Sequence, residues 1–259
     1  MAGLGAGHGA GHGKENGRLP MEWHDEAVVI AARPHGETSA LVEVLTRHHG
    51  RHLGLVMGGR SRRLRPVLQT GNHIEVRWRA RLEDHLGHMT VELREGHAAR
   101  LLDSSKALNA LTSIAALAHL LPERDPHPNL YEITLFILDL IADETMLPAL
   151  LVRWELALLE ELGFGLDLSK CAATGGNDAL IYVSPRTGRA VSASAGEPYK
   201  DRLLALPEFL RPDGRMQVIS ALDIAQGFAL TGHFLHEQVL APRGAALPTS
   251  RDRLIASLT

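Results

Sequence analysis

The stretch Asn72-His73-Ile74-Glu75-Val76-Arg77-Trp78-Arg79-Ala80-Arg81 decides the fold. Ile74, Val76, Trp78 and Ala80 alternate strictly with Glu75, Arg77, Arg79 and Arg81. Successive side chains of a strand point to opposite faces, so this is a half-buried β-strand with one wet face. The wet face carries three arginines. Trp78 falls on the dry face, so its ring reads as core packing rather than as a platform for a stacked base.

Working outward, the same period of two runs from Asp25 to about Glu95. Leu86 to Leu93 follows the short Glu83-Asp84-His85 connection and is the hairpin partner of the first strand. Upstream lie the apolar run Ala27–Ala31, the Val/Leu/Thr-rich segment Thr38–Thr46 and the segment His52–Met57. Five short strands separated by turn residues predict a small closed or half-closed barrel.

From Leu101 the period changes to that of a helix. Asp103-Ser104-Ser105 offers N-cap oxygens for a helix running to Leu121, which Pro122 ends. Further helices are expected over Leu130–Asp143 and over Leu147–Leu162, the latter stopped by Gly163. Their three- and four-residue apolar spacing predicts a bundle. Residues 171–198 are rich in Gly, Ser, Ala and Thr. There Ala179–Val183, a Pro-Arg-Thr-Gly turn and Arg189–Ser192 predict a β-hairpin lobe. Helices are expected again at Lys200–Leu206 and Val218–Leu240, with a frayed tail after Pro242 holding Arg243, Arg251 and Arg253. Residues 1–20, a Gly/Ala/His repeat, read as a disordered tail. The expected division is therefore tail 1–20, barrel 21–100 and helical domain 101–259, an α+β protein.

The formal charge of -3 conceals an uneven distribution. From Arg47 to Arg81 there are nine arginines and one acid, Glu75, a net charge of +8. From Leu101 to Lys170 there are eleven acids and four bases, a net charge of −7. The basic segment contains arginine and no lysine, and guanidinium groups grip phosphate bidentately. A basic strand with a basic loop, Gly59–Arg65, points to a nucleic-acid backbone held without base readout. The expected DNA-binding residues are Arg47, Arg51, Arg60, Arg62, Arg63, Arg65, Arg77, Arg79 and Arg81. His48, His49 and His52 add charge near phosphate on the same reading.

Catalytic patterns are missing. The chain has no G-x-S-x-G, H-E-x-x-H or P-loop motif. The lone Cys171 excludes an intramolecular disulfide and an all-cysteine metal site. His233 and His236 share a helix face, which fits a half-buried pair better than a metal site without a third ligand. No enzyme activity, cofactor or metal is expected. No apolar run approaches the ~20 residues of a membrane helix, and the first residues lack a signal-peptide pattern. A cytoplasmic, nucleoid-associated protein with no membrane partner is the expectation.

Glu161-Leu162-Gly163-Phe164-Gly165-Leu166-Asp167-Leu168-Ser169-Lys170-Cys171-Ala172-Ala173-Thr174-Gly175 resembles the bacterial RecO family of recombination mediators. Asp25–Val29, His35–Ser39, Gly50-Arg51-His52 and Gly58–Ser61 resemble it too, in the same order. The resemblance implies an N-terminal OB-fold, a helical domain and a small zinc-finger-like lobe. It also implies binding of single- and double-stranded DNA and annealing of complementary strands. The partners it implies are the C-terminal tail of the single-strand-binding protein, RecR and, indirectly, RecA, the recombinase to be loaded. Many relatives carry two C-x-x-C pairs in the lobe. Here Thr174 stands at the second position, and Val191, Ser192 and Ser194 lie where the later pair would fall, so the resemblance is to a zinc-less branch. The acidic tail of the single-strand-binding protein calls for an apolar groove with a basic rim, for which Lys106, Arg124 and Arg153 are the candidates. The competing reading of the whole chain is an interaction scaffold whose basic barrel binds an acidic protein. A third, a metal-dependent hydrolase using His233, His236 or the His48–His52 cluster, has the least support.

Overall fold

The computed structural model describes residues 21–82, 85–101, 104–212 and 219–258. The stretch 1–20, the Glu83-Asp84 connection, Asp103 and Val218, each read above, lie outside the described residues.

Five strands close into a barrel: β1 (Met21–His35), β2 (Ser39–Thr46), β3 (Arg51–Val56), β4 (His73–Ala80) and β5 (His88–Glu95), in the order β1-β2-β3-β5-β4. Neighbours are antiparallel except β3 and β5, which pair in parallel. This is an OB-like barrel. On β4, Ile74, Val76, Trp78 and Ala80 are buried inside it while Arg77 and Arg79 are exposed. Trp78 is core: its indole N–H donates to the Leu86 carbonyl at 3.0 Å, which satisfies its one polar atom.

β1 is 15 residues long, far beyond the Ala27–Ala31 run. Its first half pairs with β4 and its second with β2. The register shifts between Val29 and Ala31, a bulge that bends the strand around the barrel. Ala27 and Val29 join the barrel core, while Val28 and Ile30 point outward and join the helical core together with Leu45. Outward apolar residues of β1 and β2 thus dock the barrel on the helices. The apolar run marks only the part of β1 covered on both faces.

The helical domain holds α1 (Ser105–Ala118), α2 (Pro128–Asp139) and α3 (Leu147–Glu161). Ser104 caps α1, its hydroxyl accepting from the Ala107 N–H at 3.1 Å. Gly163 takes φ +83° just after α3, the left-handed turn that glycine allows. Trp154 is fully buried and donates to the Thr134 hydroxyl at 2.8 Å.

The lobe has the expected hairpin, β6 (Leu180–Val183) and β7 (Ala190–Ser192), followed by the single turn α4 (Ala193–Gly196). The helix expected over Lys200–Leu206 does not form. Glu197–Arg202 is a 3-10 segment, and β8 (Leu204–Ala205) pairs with Tyr182 and Val183 as a third strand. Pro207 disfavours helical backbone at Leu206, and the Leu206 N–H instead donates to Ile181 at 2.8 Å. α5 (Ala221–Phe234) starts on a Ser220/Asp223 capping box and runs on through a π-helical stretch, Leu235–Leu240. Among the described residues no helix is long and apolar enough to cross a membrane.

The frayed tail expected after Pro242 is a second correction. Thr249–Ala256 forms α6, which packs against α1. Its Arg251 is 3% exposed and forks onto the fully buried Glu155, Nε to Oε1 at 2.8 Å and Nη2 to Oε2 at 3.0 Å. The same guanidinium donates to the Phe228 carbonyl at 2.7 Å. Arg251 here locks the C-terminus and is no part of a solvated tail.

The lobe does not fit a zinc ion. Cys171 is buried, and its sulfur accepts from the Ser192 N–H at 3.3 Å and lies 3.4 Å from the Ser192 hydroxyl. One thiol among hydroxyls is not a zinc donor set. Backbone bonds join the lobe's segments instead, Ala172 N–H to Ala190 and Ala190 N–H to Asp167, both at 2.8 Å.

Candidate nucleic-acid interface

The structure divides the nine arginines into two groups. Arg47 and Arg51 face the helical domain. Arg47 pairs with Glu132 on α2. Arg51 pairs with Glu43, and its Nε donates to the Leu121 carbonyl at 2.9 Å. Glu43 is in turn 3.0 Å from the His119 imidazole. Burial raises the Glu43 pKa, but the bonds from His119 and Arg51 outweigh it and hold the carboxyl below its usual range. The Glu43 hydrogen bond raises His119. Gly50 sits at φ +67° against the Asp125 backbone, where a Cβ would overlap it. The Arg124 N–H donates to the Arg51 carbonyl at 2.8 Å. Arg47 and Arg51 are therefore domain-junction residues with acidic partners at hand, unlike the other arginines of the expected DNA-binding set.

The histidines also depart from expectation. His48 and His49 both turn to the buried carboxylate of Asp25, Nδ1 to oxygen at 3.0 and 2.8 Å. His52 lies in the barrel core with its ring edge-on to Trp23 and Trp78. Burial pulls its pKa down to about 4, so it is neutral at pH 7. Buried and neutral, His52 adds no charge to the barrel surface. His233 lies 3.2 Å from the Pro185 carbonyl, and His236 is 2.9 Å from Glu237.

The other seven arginines lie on the free side of the barrel. Arg60 donates to the Gly36 and Glu37 carbonyls at 2.8 and 2.9 Å, clipping the 57–72 loop to the β1–β2 turn. Arg77 makes one exposed contact, with Glu22 at 3.6 Å. Arg62, Arg63, Arg65, Arg79 and Arg81 are exposed and pair with no described residue.

Strand register connects the loop to the strand. Arg79 is opposite His88 on β5, His88 is opposite Leu55 on β3, Leu55 is opposite Leu41 on β2, and Leu41 is opposite Arg33 on β1. At about 4.8 Å per strand the path covers roughly 19 Å of outer surface. Arg33, His88 and Arg79 are exposed, and Leu41 and Leu55 are half-buried. Beside Arg33 a cleft of about 460 Å³ opens between the β1–β2 hairpin and the loop, lined by Arg33, Arg60, Arg65, Pro34, Ala40 and Leu68. Barrel closure thus links Arg79 of β4 to the Arg33–Arg60–Arg65 cleft by a short path through His88, Leu55 and Leu41. Arg33 belongs to this path and was missed. It precedes the basic segment, and only knowing that β1 extends to His35 would have placed it outward.

The path carries no Phe, Tyr or Trp, and its one ring is the His88 imidazole, so it offers grips for phosphate and little stacking surface. Guanidinium groups without stacking rings suit contact with phosphates more than readout of base edges.

A second concavity, of about 350 Å³, lies in the helical domain. Its lining mixes Leu156, Leu166, Leu168 and Phe209 with two bases, Arg153 and Arg211, and one acid, Glu160. Arg153 donates to the Phe209 carbonyl at 2.7 Å and stands 5.9 Å from that ring's centre. Of the three basic candidates, it is the one that lines this leucine-containing groove. Lys106 lies 3.7 Å from Glu144, and Arg124 donates to the His85 carbonyl at 3.2 Å.

Family models agree with this architecture. Residues 21–97 match the model for the recombination protein O N terminal, and residues 103–245 the model for its C terminal. A protein of Methylobacterium nodulans described as "DNA repair protein RecO" is 55% identical over 239 residues, covering 91% of this chain and 97% of the relative. Proteins of the same description from Rhodospirillum centenum and Rhodopseudomonas palustris are 55% and 53% identical, covering 91% and 92% of the chain and 94% and 96% of the relatives. An OB-like barrel with a free arginine face, joined to a helical domain and matched along almost its whole length, places this chain in the RecO family of recombinational DNA repair proteins.

Proposed function

We propose that the chain is a non-enzymatic recombination mediator that holds DNA by its phosphates on the arginine face of the barrel. The observation that carries this reading is the short path from the Arg33–Arg60–Arg65 cleft to Arg79, with five arginines left unpaired by the described residues. A surface without a base code lets a strand slide, and neutralised phosphates lower the repulsion between two strands. Both properties favour annealing of complementary strands.

If about five phosphates are engaged, the logarithm of the binding constant for single-stranded DNA falls with the logarithm of salt at a slope of about −3.5. Fluorescence anisotropy of a labelled oligonucleotide over a salt series measures this slope. A flat response rejects the reading and leaves the scaffold alternative, in which the barrel takes an acidic protein.

The groove beside Arg153 suits the acidic tail of the single-strand-binding protein: carboxylates at the two arginines, apolar side chains on the leucine floor. Docked there, the tail brings coated single strands to the chain, where RecR and the recombinase act. Leu168→Asp places a like charge on the floor and is expected to weaken binding of a labelled tail peptide at least about tenfold. Unchanged peptide affinity removes the groove from the proposal.

A further inference from the structure

We propose a divalent transition-metal site, with zinc as the preferred ion, at the junction of the barrel and the helical domain, formed by Glu95, His97 and Asp139. Glu95 ends β5, His97 follows two residues later, and Asp139 ends α2. Their ligand atoms lie within 4.8 Å of one another, the one such group among the described residues.

Two observations point to a ion rather than to an incidental cluster. The first is His97. It is fully buried, and neither ring nitrogen has a hydrogen-bond partner. Buried polar atoms are nearly always satisfied, so an orphaned imidazole needs an explanation. Its Nε2 points between the two carboxylates, 3.7 Å from Asp139 Oδ1 and 4.0 Å from Glu95 Oε2.

The second is those spacings. They exceed the 2.7–3.2 Å of a direct hydrogen bond. Donors bound to a tetrahedral ion at about 2.0–2.2 Å sit roughly 3.4 Å apart; the two imidazole–carboxylate distances lie within a few tenths of an ångström of that spacing, and all three ligand atoms are within 4.8 Å of one another. Both carboxylates are half-exposed, 42% and 52%; Glu95 holds Arg100 Nη2 at 2.6 Å through Oε1, which leaves Oε2 for the ion. One imidazole and two carboxylates suit zinc better than magnesium, which prefers oxygen alone and keeps its waters. Three protein ligands leave the fourth position to water.

The ion would tie the last strand of the barrel to the second helix. This site is separate from the lobe around Cys171, which lacks donors. Its expected consequence is a rigid angle between the DNA face and the helical domain.

The test uses the full chain, stripped with chelator and dialysed. One equivalent of Zn²⁺ is expected to raise Tm, and an equal concentration of Mg²⁺ to leave it unchanged. Asp139→Asn and Glu95→Gln are each expected to weaken Zn²⁺ affinity, read by calorimetry, by about tenfold or more. Both positions are surface-facing, so these variants should fold. Substituting Co²⁺ should give visible d–d bands without the near-ultraviolet thiolate band that Cys171 would add. His8→Gln with His12→Gln removes the histidines of the 1–20 stretch and should leave the affinity unchanged. The proposal is overturned if Zn²⁺ binds no better than Mg²⁺, which would indicate a water bridging the three groups. It is equally overturned if binding survives Asp139→Asn and Glu95→Gln, or disappears with the His8/His12 pair.

Discussion

Arg251→Ala is expected to lower the unfolding free energy by about 3–5 kcal/mol, a large fraction of the ~5–15 kcal/mol that holds a typical protein together. The cause lies in the partner left behind. Glu155 is fully buried in α3, and its charge is matched by the Arg251 fork and by the Thr231 hydroxyl. Arg251 also stands 5.1 Å from the centre of the Phe228 ring, and Gly232 gives it room, since a Cβ there would sit 3.0 Å from Nη2. Removing the guanidinium leaves a carboxylate in an apolar core. Arg251→Lys should recover only part of the loss, because an ammonium cannot fork across two oxygens. The double variant Glu155→Leu, Arg251→Met should recover most of it, since apolar groups of similar size often replace a buried pair without cost. Urea titration of the four proteins measures all of this. A loss below about 1 kcal/mol for Arg251→Ala would mean that α6 is not the lock described here.

The triple variant Arg62→Ala, Arg63→Ala, Arg65→Ala is expected to reduce the salt slope for single-stranded DNA from about −3.5 to about −1.4, at roughly 0.7 per phosphate. The same arithmetic gives an affinity loss of about 50-fold at 0.15 M salt. These side chains are exposed and unpaired, so stability should change little. Arg51→Ala is the contrasting control. It strips Glu43 of its partner at the domain junction, so it should lower stability and leave the slope near the parent value. A triple variant with an unchanged slope would place the DNA elsewhere on the molecule. An Arg51 variant with the larger slope change would restore that residue to the binding set.

Those opposed expectations for two arginines of one basic segment show where sequence reading stops. The segment from Arg47 to Arg81 announces its sign but not its allocation. Whether a guanidinium is free depends on what faces it, and the acids that claim Arg47 and Arg51 lie on β2 and on or next to the helices, at Glu43, Glu123 and Glu132. Arg33 illustrates the converse. Nothing in its neighbours marks it, yet strand pairing places it on the rim of the cleft with Arg60 and Arg65.

What the sequence determined by itself is local and periodic. The alternation through Ile74, Val76, Trp78 and Ala80 identified the core face of β4, and Ser104 and Gly163 marked helix ends, because each signal lies within a few residues of the structure it controls. Charge polarity and the missing lobe cysteines were legible for the same reason. What the tertiary structure decided depends on contacts between distant parts of the chain. Arg251 meets Glu155 across 96 residues, so a terminal segment of low hydrophobicity became a buried helix. His97 became an orphaned imidazole beside Asp139 only when α2 docked against the end of β5. The arginine face itself exists because barrel closure sets β5 beside β3, a pairing that no local pattern specifies.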